Sequence, residues 1–351
     1  MKHLTCLATG ILALAGMSSV TLADGARQQI SIVGSSTVFP FASAVAEHLG
    51  QKGQFKTPTV ESTGTGGGFK AFCGGTGVNY PDIANASRKI KPSEMKACSG
   101  AGAKDLVEVK IGYDGIVLAQ TKQGKPTDFT RKEIYLALAK QIPDPECTEC
   151  GKLIDNPYQT WDQINPSLPK AKIEVMGPPT TSGTRDAFAE LVMEAGCNEY
   201  DWLKEWKKKN EAEYKRMCQS IREDGAYTEA GENDNLIVQK LKTKPTGFGI
   251  FGYSFLDANQ DQISASTIEK MAPTADAIAD GSYPISRPLF FYVKKAQVGV
   301  IPGLLEYINE FTDEKTWGDD GYLVEKGLVP LPARQRKEVA DSARRLDLMK
   351  M

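Results

Sequence analysis

Apolar positions along the chain alternate between two periods. QISIVG, from residue 29, alternates as a half-buried strand does, and Phe41, Ala44, Val45 and Leu49 then recur at helical spacing behind Pro40. This predicts a strand, a turn and a helix starting near Ser36. PTVES repeats the form: a strand enters the glycine-rich turn 64–68 and a helix follows through Phe69 and Phe72. DIANASR reads as a short strand running into a polar turn, and residues 107–120 (VEVKIGYDGIVLAQ) as a long strand. Farther on, TRKEIYLALAK predicts an amphipathic helix and AKIEVMG a strand. DAFAELVMEAG predicts a helix with Phe188, Leu191, Val192 and Ala195 on one face. A polar, helix-rich insert at 198–219 precedes two more strand regions, GFGIFGYSF and RPLFFYVKK. Alternating strands and helices predict an α/β fold with mostly parallel sheets flanked by helices. The long strand carries the chain from one lobe to the next, and RPLFFYVKK carries it back.

Three of these strand-to-helix junctions share a chemistry: IVGSSTVFP, ESTGTGGGFK and PTTSGTRDAF. The first N–H groups of a helix lack intrahelical acceptors and sit at the positive end of its dipole, so each junction points donors at an anion. Ser and Thr there add hydroxyls, although the same residues cap helices for structural reasons alone. Together the junctions offer six or more donors: Ser36, Thr37 and the amide of Val38; Thr65 with neighbouring glycine amides; and Ser182, Gly183 and Thr184. Arg185 supplies a positive charge and a planar fork suited to oxygen anions, or else is a surface residue of its helix.

The first residues change where this chemistry must operate. Lys2 and His3, an apolar run through Met17 and the small-residue site ending at Ala23 predict a secretory signal, residues 1–23. No segment reaches the roughly 20 apolar residues of a membrane span. The remainder, about 328 residues (351 less 23), suffices for two domains. Net charge is −2 with both signs interspersed, which excludes the basic footprint of a nucleic-acid binder; Lys207, Lys208 and Lys209 read as a solvated helix face. Six of the 7 cysteines lie beyond the signal. In an exported chain an even number predicts disulfides, with local pairs suggested: Cys73 with Cys98, Cys147 with Cys150, Cys197 with Cys218. Cys147 and Cys150 also fit a redox motif or half a zinc site, but their Pro-rich setting favours a structural loop. Past residue 23 His48 is the one histidine, so catalytic triads and His-based metal sites lack material. No GxSxG elbow or GxxxxGK[ST] loop is present.

GSSTVFP, GTGGGF, DIANASR and SGTRDAF, in this order after a signal sequence, resemble the periplasmic phosphate-binding proteins of phosphate ABC transporters. The likeness continues through AGENDNLIVQKL, GIFGYSF and RPLFFYVKK. It implies a two-lobe, type II periplasmic-binding-protein fold: lobe I from 24–112 plus 270–351, and lobe II from 113–269, joined by two crossing strands. It further implies a periplasmic monomer that binds inorganic phosphate between the lobes and delivers it to an inner-membrane permease, without enzymatic activity, cofactor or metal. Another tetrahedral oxyanion (sulfate, arsenate) and a secreted phosphatase are the alternatives. The family's binding loops fall on Thr37 and Val38, on Thr65, and on Ser182, Gly183 and Thr184. Two family positions differ. Pro178 stands where well-known members have a binding arginine, leaving Arg185 as substitute. Arg88 follows Ala86-Ser87 where they have a ligand aspartate, and it could add positive charge to the cleft. A carboxylate there accepts a proton-bearing phosphate oxygen and repels a fully ionised anion. Asp114 is the alternative acceptor, or a turn cap before Gly115; Glu223 and Asp224 are weaker choices.

Overall fold

The computed structural model describes residues 27–180, 182–231 and 234–349; the expected signal sequence lies outside them. After β1 (Ser31–Gly34) come α1 (Phe39–Gln51), β2 (Thr59–Ser62), α2 (Gly64–Phe72), β3 (Ile83–Ala86), α3 (Pro92–Gly100) and the 16-residue β4 (Leu106–Thr121). Beyond β4 the strands that matter to the site are Val175–Gly177, Tyr227–Glu229, Phe248–Gly252 and Ser286–Lys294. All belong to one nine-stranded sheet.

The sheet has two halves, spliced by its longest strands. On one side β2, β1 and β3 are parallel, and Ser286–Lys294 runs antiparallel between β3 and β4. On the other side the far half of β4 pairs antiparallel with Phe248–Gly252, which continues in parallel through Val175–Gly177 to Tyr227–Glu229. The inner strands are buried on both faces: β3 is wholly buried, and so is nearly all of β4, whereas the edge strands β2 and Tyr227–Glu229 are largely exposed.

Each half closes its own core. Ile32, Val45, Ile83, Val109, Phe291, Tyr307 and Trp317 pack in the first. In the second, Phe129, Trp161 and Phe248 meet with ring centroids 4.8–5.4 Å apart, beside Phe188, Val192 and Tyr214. Burial of each large side chain contributes about 1.5–3 kcal/mol. Ala277, Ile278, Tyr283 and Ile285 also belong to this second core, so it runs past the 269 boundary read from the sequence.

The three expected disulfides form, Cys73–Cys98, Cys147–Cys150 and Cys197–Cys218. Cys147 and Cys150 lie exposed in the turn between the paired strands Gln141–Pro143 and Leu153–Asp155. The other two bridges are buried, and Cys197–Cys218 ties the insert helices Asp201–Lys209 and Glu211–Gln219 to the body. No helix of the described residues is long and apolar enough to cross a membrane.

Candidate functional site

Two glycines decide how the first two junctions meet. Gly34 ends β1 at φ +134, and a Cβ there would stand 2.2 Å from the Asn85 carbonyl oxygen. A Cβ on Gly68 would stand 2.4 Å from the Gly34 Cα. Only two bare backbones fit, so α2 lies against the end of β1. Behind Gly34, Ser35 N–H donates to the Asn85 carbonyl at 3.0 Å and the Val38 amide faces Ser35 Oγ at 3.4 Å. Thr65, in the first turn of α2, meets the end of β3: its hydroxyl lies 3.0 Å from Ser87 Oγ and accepts from the Ser87 amide at 3.1 Å.

The third junction begins a helical run through Gly183–Phe188, the π-helical Ala189–Met193 and Glu194–Cys197. Ser182 caps it, its Oγ accepting from Thr184 N–H at 3.2 Å. This junction abuts the first. A Cβ on Gly183 would stand 2.5 Å from the Ser36 carbonyl oxygen and 3.0 Å from the Thr37 Cα.

At that contact lies a buried charge cluster. Arg287, on Ser286–Lys294, is the cross-strand partner of Asp114 on β4. Its Nη2 donates to the Thr37 hydroxyl and its Nη1 to Glu190 at 2.5 Å, while Nε faces Asp114 Oδ2 at 3.5 Å. Nε and Oδ2 are both buried without a hydrogen-bond partner among the described residues. Buried polar atoms are normally satisfied; these two face each other as an ion pair beside Thr37. Burial raises the Asp114 carboxyl above its usual range, against the opposing pull of Arg287. Glu190 arrives from the π-helical turn, a distortion found often at functional sites.

Arginine positions depart from the sequence reading. Glu94 holds the Arg88 guanidinium in a two-pronged pair at 2.9 and 2.8 Å. Arg185 lies over the Tyr227 ring at 4.5 Å and donates to the Pro178 carbonyl at 3.3 Å, within the second half of the sheet. The guanidinium at the first junction is Arg287, within RPLFFYVKK; it bonds Thr37 there and Glu190 on the helical run that the third junction begins. Asp114 does face it, instead of merely capping a turn. Arg222 takes up Asp224 and the Tyr158 carbonyl, which accounts for that carboxylate structurally.

A two-part sheet whose first and third Ser/Thr-bearing helix starts meet beside the buried Arg287 defines a class, and sequence comparison gives the same one: the chain belongs to the PBP superfamily, whose domain matches residues 19–315. Its relatives there include proteins named SphX and phosphate-binding proteins named PstS. It is 30% identical over 319 residues to Protein SphX of Synechococcus elongatus, covering 89% of this chain and 80% of that protein. It is also 30% identical over 298 residues to the phosphate-binding protein PstS of Staphylococcus haemolyticus, covering 83% and 79%. Among solved structures, a possible phosphate-binding protein from Planctomyces limnophilus superposes with a TM-score of 0.70 at 29% identity, covering 91% of this chain and 98% of that one. An ABC-type phosphate transport receptor from Vibrio cholerae shares the fold, with a TM-score of 0.54 at 20% identity.

Proposed function

We propose that this chain is an exported, non-enzymatic solute-binding protein that captures inorganic phosphate in the cleft between two lobes and hands it to an ABC-transporter permease. The observation that carries this reading is the meeting of the first and third junctions at Arg287 and Asp114. An oxyanion removed from water needs most of its lone pairs satisfied, because the penalty for burying an ion is several kcal/mol even after relaxation. Thr37 and the Val38 amide, Thr65, Ser182, Gly183 and Thr184 supply donors from both sides. Arg287 supplies the buried charge, in the role the sequence reading gave to Arg185. Asp114 supplies the acceptor for the proton that phosphate carries and sulfate lacks. The names of the PstS-type relatives, phosphate-binding proteins, support the same ligand.

Domain closure follows from this division of donors: an anion bound by both sides favours the arrangement in which they touch. Calorimetric titration of the purified protein with phosphate and with sulfate, across pH, tests the reading. Phosphate binds with clear preference over sulfate. Arg287→Ala weakens phosphate binding by about 100-fold, equivalent to about 2.7 kcal/mol, with the circular dichroism spectrum retained. Equal affinities for the two anions would reduce the reading to a general oxyanion carrier, and undiminished binding by Arg287→Ala would remove the charge assignment. Turnover of phosphomonoesters would place the chain among phosphatases instead.

A further inference from the structure

Arg287 faces two carboxylates that differ in kind. Asp114 is fixed by strand register and its side chain is 9% exposed, whereas Glu190 comes from a helix of the other wall and is 49% exposed. Glu190 alone of the two makes a full hydrogen bond to the guanidinium, through Nη1. It also stands within Coulombic reach of Asp114 and of Arg88, but Arg88 is already matched by Glu94. One buried guanidinium thus carries the charge for the cluster, and a resident carboxylate holds one of its donor edges.

We propose that Glu190 is the resident counter-anion of Arg287 and limits the affinity of the anion site. A buried guanidinium without a partner is costly, so Glu190 stabilises the unloaded protein by occupying Nη1 where an oxyanion oxygen would otherwise sit. The same negative charge opposes the incoming anion. Binding therefore exchanges one anion for another, and the site releases its cargo more readily than the donor set alone would allow. This rests on the oxyanion reading above and adds to it the residue that sets how tightly the anion is held.

Glu190→Gln removes the charge and keeps an acceptor oxygen and nearly the same volume. Isothermal titration with inorganic phosphate at low and high salt compares it with the wild-type protein, and Glu190→Ala provides a second variant lacking the charge. Both variants bind phosphate about tenfold tighter at low salt. The gain shrinks at high salt, because the half-exposed charge it removes is screened there. Melting of the anion-free variants occurs below that of wild type. Weaker or unchanged phosphate binding in both variants overturns the proposal and leaves Glu190 as a residue that only orients Arg287. A wild-type protein that binds neither phosphate nor sulfate refutes the oxyanion reading itself, an outcome distinguishable from a normal wild type with no gain in the variants.

Discussion

Asp114 is buried opposite Arg287, and its environment ties its protonation to folding. Burial raises its carboxyl despite Arg287, so folding favours the protonated form. Its contribution to stability is fully present below the unfolded carboxylate value, about 3.9, and is lost as pH rises through the raised folded value. An asparagine at this position stays neutral throughout. The melting temperature of Asp114→Asn relative to wild type accordingly becomes more favourable between pH 4 and pH 7. A difference flat across that range would mean that Arg287 compensates the burial completely. The amide also donates, which a carboxylate cannot, so the same variant gains sulfate affinity relative to phosphate in competition titrations.

Helix α2 illustrates how an element's sequence can be read twice. GTGGGF looks like a flexible turn, but Gly66 and Gly68 do different things. Gly68 touches Gly34, where a Cβ would come within 2.4 Å of backbone, whereas a Cβ on Gly66 meets nothing within 4 Å. Gly68→Ala must push α2 off β1, with a cost of about 1–3 kcal/mol of the overpacking kind and weaker anion binding as Thr65 moves with it. Gly66→Ala, in the same helix, leaves stability unchanged or raises it by about 0.5–1 kcal/mol through helix propensity and a less flexible unfolded chain. Urea titrations of the two variants decide between this asymmetry and a uniformly tolerant glycine run.

Locality decides how much of these elements is legible in the sequence. The three junctions were legible because turn chemistry and helix starts are local, written within about ten consecutive residues each. β1, β3 and Val175–Gly177 were legible as strands, whereas the short edge strand Tyr227–Glu229 carries no apolar run and was not; the local cysteine pairs were legible from exported context and spacing. Arg287 was not legible, because its place beside Asp114 depends on the register of two strands far apart in sequence. Arg88 and Arg185 attracted the charge assignment by adjacency to the motifs. Glu94, six residues beyond Arg88, and the ring of Tyr227 on a neighbouring strand take them instead. The π-helical turn that presents Glu190 gives no periodic signal, since AELVM continues an ordinary amphipathic helix by composition.

At the scale of the whole molecule, β4 and Ser286–Lys294 are the covalent links across which the two halves of the sheet are spliced. Gly183 against Ser36 and Thr37 is a point of closest approach between the first and third junctions. The contact belongs to neither core, so filling it disturbs the approach of the two walls and spares what folds each half. In Gly183→Val the first added carbon alone would stand 2.5 Å from the Ser36 carbonyl, and the closed arrangement becomes a minor population. Apparent affinity falls by that population, since the measured dissociation constant is the intrinsic one divided by the competent fraction. The expected result is phosphate binding weakened about 100-fold, roughly 2.7 kcal/mol, with an unchanged anion-free melting temperature. Small-angle scattering would record phosphate-induced compaction in wild type and its loss in the variant. If Gly183→Val compacts and binds like wild type, the walls do not need this contact, and closure would have to be carried by the Arg287 cluster alone.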